Sequence, residues 1–163
     1  AQDRIIILNQ LFHKLKISNF SDSYETEQKI WKIWSTHPNN EDLTLLLSKG
    51  SDLLFEQNYF EALDTFTEII DLDPLWAEAW NKRATVLYMI GEFKKSQRDI
   101  DKVLELEKRH FGALAGQGLV NIELENYEKA IKSYERVREL YPSMQSPEIM
   151  IKQIKELIKK KSI

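Results

Sequence analysis

The sequence predicts an all-α fold, a stack of antiparallel helix hairpins (an α-solenoid), and three observations predict it. Residue types recur every 34 positions, three times without a gap, and a period of this size marks a repeat architecture in which each unit buries a face on its neighbour. Glycine and proline are scarce, at five and four in 163 residues, which favours long helices over strands and turns. Outside the repeats the apolar residues also keep helical spacing.

Taken in chain order, residues 1–40 read as a degenerate helical hairpin. Ile5, Leu8, Leu11 and Phe12 share one helical face, as do Ile30, Trp31, Ile33 and Trp34, and Ser18 to Ser23 forms the turn between them. This hairpin has the size of a repeat but does not keep its register. Trp31 and Trp34 are expected to plug the open end of the first repeat, with an aromatic ligand cage as the alternative. The start Ala1-Gln2-Asp3 suits what signal peptidase leaves behind, and a trimmed chain is the alternative.

Residues 43–142 carry the period, in units 43–76, 77–110 and 111–142. Gly50, Ala84 and Gly118 form one column, Ala62, Ser96 and Ala130 a second, and Tyr59, Phe93 and Tyr127 a third. Leu72, Leu106 and Leu140 keep the same register, as do Pro74, Lys108 and Pro142. The small columns let two helices cross at close range. The aromatic opens each second helix and packs against the first. Asp73-Pro74 and Tyr141-Pro142 stop a helix, because the residue before proline is driven out of the helical region. Lys108 breaks that column, so the helix before it is expected to run longer or to end less sharply. The helices are placed at 43–56 and 59–72, 77–90 and 93–107, and 111–124 and 127–140, with Asn58 and Glu61 forming a capping box.

The last element is a capping helix over 147–161. Ser146 is expected at its N-cap and Pro147 in its first turn. Ile151, Ile154, Leu157 and Ile158 make its apolar stripe, and Lys159, Lys160 and Lys161 offset the dipole at its end. That lysine run could alternatively dock acidic partners or lipids.

The columns of 43–142 resemble the tetratricopeptide repeat (TPR) family, with Leu46, Trp80 and Leu114 at its leading position and Phe66, Ile100 and Tyr134 at the large apolar position of each second helix. The resemblance implies that the hairpins curl into a right-handed superhelical stack, and that the first helix of each repeat lines its concave groove for a peptide or helix of another protein. Carried over by position, the groove residues are Leu47, Ser48, Ser51 and Phe55, then Asn81, Lys82, Thr85, Tyr88 and Met89, then Ala115, Gly116, Leu119 and Ile122. One TPR subgroup grips the carboxylate end of chaperones with Lys, Asn, Asn, Lys and Arg. The matching positions here hold Leu47, Ser51, Lys82, Gly112 and Gly116, so that clamp is not expected. Gly112 and Gly116 either let helices approach closely or leave a notch in the groove. In layout the leading helix pair also resembles small exported TPR proteins of α-proteobacteria, which would place the chain in the periplasm.

Composition narrows the function further. The hydrophobic share is 42%, the charged share 30% and the net charge −3, with 17 Lys against 6 Arg, which gives no basic footprint for nucleic acid. No cysteine is present, so disulfides and thiolate metal sites are excluded. No apolar run approaches the roughly 18–20 residues of a membrane span. His13, His37 and His110 lack a second ligand at metal spacing on one helix face and are expected at surfaces or caps. Asp71/Asp73 and Asp99/Asp101 read as solvated pairs. Gly116-Gln117-Gly118 lies within a helix and follows no strand, so it is not a dinucleotide loop. No catalytic, metal or cofactor site is predicted. The expectation is a protein-binding scaffold, monomeric or weakly homo-oligomeric, with an assembly module that self-associates through its end faces as the alternative.

Overall fold

The computed structural model describes residues 2–163, so the reading of Ala1 as a processed start lies outside the described residues. Among those residues the secondary structure is entirely helical. The helices run α1 Gln2–Ile17, α2 Phe20–Trp34, α3 Glu41–Phe55, α4 Tyr59–Leu72, α5 Ala77–Met89, α6 Phe93–Leu106, α7 Phe111–Glu123, α8 Tyr127–Leu140 and α9 Ser146–Lys161. The chain divides into two compact units, one of residues 31–110 and the other of residues 1–30 with 111–163.

The unit of residues 31–110 holds the α3–α4 and α5–α6 hairpins. The crossing of α3 and α4 rests on Gly50, where a Cβ would stand 2.5 Å from the Phe66 ring. Phe66 is fully buried with Ala62 and Ile69 beside it, a burial worth roughly 1.5–3 kcal/mol for the ring alone. One period later Ala84 replaces the glycine and Ile100 replaces the ring, a trade of volume within the same columns. Ser96 supplies a further link, its buried hydroxyl donating to the Ala84 carbonyl at 2.7 Å.

In the other unit α7, α8 and α9 pack in sequence. Gly118 repeats the device of Gly50, with Tyr134 only 2.3 Å from where a Cβ would be. Ala130 and Tyr134 form a core cluster with Ile151 and Ile154 of α9, while Ile158 at the end of the predicted stripe is exposed. Lys161 closes the end of α9 by donating to the Glu125 carboxylate and lying 5.3 Å from the Tyr127 ring. Here α1 packs on α8, Phe12 meets Phe111 edge-on at 6.1 Å, and Ser143 donates to Ser23 at 2.7 Å.

Several local expectations need correction. The predicted turn at Ser18 to Ser23 is shorter, because α2 already begins at Phe20. The α9 N-cap is Gln145 rather than Ser146, and it makes no side-chain cap, so Pro147 is the start signal that holds. Asn58 stands before α4 but its side chain caps nothing; its amide reaches Glu56 instead, at 3.4 Å. The second repeat does not overrun at Lys108. Its second helix ends at Leu106, in register with Leu72 and Leu140, because the Glu107 carboxylate accepts from the Arg109 backbone at 2.9 Å and forms the turn without proline.

Candidate partner-binding surface

The candidate surface is best defined on α3 and α5, which pack together within one unit. Polar side chains tie α5 to its surroundings. Arg83 forks onto Asp99 with bonds of 2.8 and 2.9 Å, reaches Thr67 on α4 at 3.3 Å, and lies 5.0 Å over the Trp80 ring. The hydrogen bonds to Asp99 raise the guanidinium pKa above its already high ordinary value. Asp99, expected in solvent, is therefore buried because it is paired. Trp80 donates its indole N–H to the Pro74 carbonyl at 2.9 Å and ties the start of α5 to the preceding connection.

A second network lies deeper. Glu78 and His110 have no exposed side-chain surface, and their Oε2 and Nε2 atoms are 2.9 Å apart. Glu78 also accepts from the Asn81 amide at 3.0 Å. Trp34 stacks flat on the His110 ring at 4.0 Å, and Trp31 meets both rings edge-on. The Trp76 indole donates to the Trp34 carbonyl at 3.0 Å, and His37 pairs with Asp73 at 2.6 Å. Trp31 and Trp34 thus pack on His110 in the connection after the second repeat, and the Trp34 backbone meets Trp76 in the connection after the first. His37 and His110 are buried partners of carboxylates, not surface histidines, and Asp73 is correspondingly engaged.

No local spacing announces these pairs, since their members lie 36 and 32 residues apart. The one available signal is the period itself. His110 falls in the column of the buried Trp76, so it occupies a core position.

The predicted groove residues fall into two groups, buried and accessible. Leu47 and Asn81 are corrections. Leu47 is 2% exposed within the first-repeat core, and Asn81 is buried in its bond to Glu78, so neither offers a surface. Ser48 is exposed, Ser51 is half-buried with its hydroxyl donating to the Leu47 carbonyl at 2.9 Å, and Phe55 is 90% exposed. On α5, Thr85 and Met89 are exposed while Lys82 and Tyr88 are half-buried. Tyr88 leans on Phe93 at 5.6 Å, a contact that restrains its ring. In the other unit α7 presents Leu119 at its surface, with Ala115, Gly116 and Ile122 half-buried. Among the described residues no group of His, Cys, Asp and Glu could hold a metal ion.

Comparison with known proteins agrees with the helix-hairpin geometry. A family model described as tetratricopeptide repeat matches residues 113–143. A TPR repeat-containing protein of Rhizobium etli is 31% identical over 149 residues, covering 91% of this chain and 73% of that protein. The chain belongs to the tetratricopeptide-repeat family. Human RNA polymerase II-associated protein 3 is 28% identical to this TPR chain over 107 residues, which is 66% of the chain but 16% of the human protein. The solved first TPR of Spaghetti (RPAP3), bound to the HSP90 peptide SRMEEVD, superposes with a TM-score of 0.71. It is 25% identical, and the match covers 75% of this chain and 97% of that one.

Proposed function

We propose that this TPR protein is a scaffold that takes a peptide or helix of a partner protein along the exposed side of α3 and α5. The observation that carries this reading is the placement of Lys82, Thr85 and Tyr88. They follow one another along a helix that is anchored to its surroundings by Arg83–Asp99 and Glu78–His110. A rigid helix presenting a fixed aromatic ring and a single cation is suited to binding through a few central anchors. One period on, the same repeat positions of α7 hold Gly116, Leu119 and Ile122. The likeness to a TPR that carries a chaperone peptide supports a peptide as the class of ligand.

The partner is not a chaperone tail held by its carboxylate. At the five clamp positions the chain has Leu47, Ser51, Lys82, Gly112 and Gly116. Leu47 is moreover sealed in the core. A single lysine replaces a set of cations and amides, so most of the binding energy for an acidic terminus is missing. Titration of the peptide SRMEEVD into the protein by calorimetry tests this. The expected dissociation constant is weaker than ~1 mM. Micromolar binding lost on Lys82→Ala would restore the clamp reading.

A further inference from the structure

We propose that the outer face of the α3–α4 hairpin is a self-docking surface on which a second copy of this chain packs through a two-fold axis running parallel to the helices. This surface is distinct from the α5 anchors and does not depend on the peptide-binding reading. The face is a shallow cleft of about 430 Å³ between α3 and α4, lined by Leu43, Leu45, Leu46 and Leu72 together with Asp42, Lys49 and Glu68. Leu45 is 62% and Leu72 64% exposed.

The repeat period shows what such a face is built for. One period on, Lys49 becomes Arg83, which reaches Thr67 on the preceding α4, so these columns face the hairpin before their own. The position equivalent to Leu45 is Ala79 in the second repeat and Ala113 in the third, and both are fully buried. In the first repeat that face is uncovered. It carries leucine where the buried copies carry alanine, and an exposed apolar cluster of this kind marks an interaction surface.

Charge placement selects the occupant. Lys49 is the sole Lys or Arg between Lys32 and Lys82, and among the described residues it forms no ion pair. Leu45 and Lys49 lie one turn apart on α3, as do Glu68 and Leu72 on α4. Because the two helices are antiparallel, the leucines share one level and the two charges share the next. A two-fold axis along the helices lays α3 of each copy over α4 of the other. Leu45 then meets Leu72 of the second copy and Lys49 meets its Glu68, each twice, as an isologous interface requires.

Sedimentation equilibrium of the full chain across roughly 1–100 μM tests this. The wild type is expected to dimerise, and Leu45→Glu to remain monomeric with unchanged helicity. Lys49→Glu and Glu68→Lys should each weaken the dimer about tenfold, since both bridges become like-charge contacts. The combined swap should return to within about threefold of wild type. A wild type that stays monomeric throughout overturns the proposal, as does a dimer indifferent to Leu45→Glu and to the charge swaps.

Discussion

In the second repeat Arg83 forks onto Asp99, lies over Trp80 and reaches Thr67 on the helix before it. One period earlier Lys49 stands at the same place with no ion pair among the described residues, beside an exposed Leu45 where the second repeat has a buried Ala79. The two hairpins match closely in helix length and in the small–large crossing of Gly50 with Phe66 and Ala84 with Ile100. What differs is whether a neighbour covers the outer columns. The crossing sets the backbone of a hairpin, and the covering neighbour sets the environment of its polar side chains.

The largest effect should separate the two histidines by their environments. His110→Ala leaves Glu78 in a site with no exposure, and urea unfolding should show a loss of about 3–5 kcal/mol. His37 pairs with Asp73, which is 30% exposed and can turn to water, so His37→Ala should cost only about 1 kcal/mol. Equal losses would mean that burial does not set the worth of these pairs.

A middle effect concerns the crossings. In Gly50→Ala the added methyl meets the buried Phe66 ring, and in Gly118→Ala it meets Tyr134. Neither ring can leave its core without opening a void, so each substitution should lower stability by about 1–3 kcal/mol in chemical denaturation. Neutral outcomes at both sites would remove close approach as the reason for this column.

The smallest effect belongs to the column that ends each second helix, Asp73, Glu107 and Tyr141. Burial, followed by the charge and hydrogen bond of Glu27, pushes the Tyr141 phenol up to about 12, from an ordinary 10.0. The folded state therefore holds this proton more tightly than the unfolded chain. The resulting stability is complete below pH 10.0 and is lost as pH rises toward 12. Tyr141→Phe should flatten the fall in melting temperature across that window. An unchanged profile would show that Tyr141 does not titrate in that range.

The six repeat helices and the family were legible in the sequence because they rest on columns 34 residues apart, and a column needs no knowledge of its neighbours. The end of α6 could be read from Leu106 in register with Leu72, whereas the missing proline at Lys108 pointed the wrong way. The environments of single side chains were much less legible. Asp99 looks solvated on a helical wheel and is buried by Arg83. His37 and His110 look like surface residues and are paired with carboxylates distant in sequence. Leu47 and Asn81 belong to one repeat column that falls on a family groove position, yet both are buried, Leu47 in the first-repeat core and Asn81 against Glu78. The placement of α1 against α8 could not be read at all, since residues 1–40 break the period that carries the rest.

If partners bind the exposed side of α5, a three-way retention experiment will show it. Proteins retained from source cells by the wild type would be quantified against the Lys82→Ala/Tyr88→Ala double variant and against Leu45→Glu, with circular dichroism confirming equal helicity. The anchors together should be worth at least ~1–2 kcal/mol, so a genuine partner should fall about tenfold on the double variant and be kept by Leu45→Glu. Equal retention by the wild type and the double variant would contradict the claim and move the binding surface away from α5.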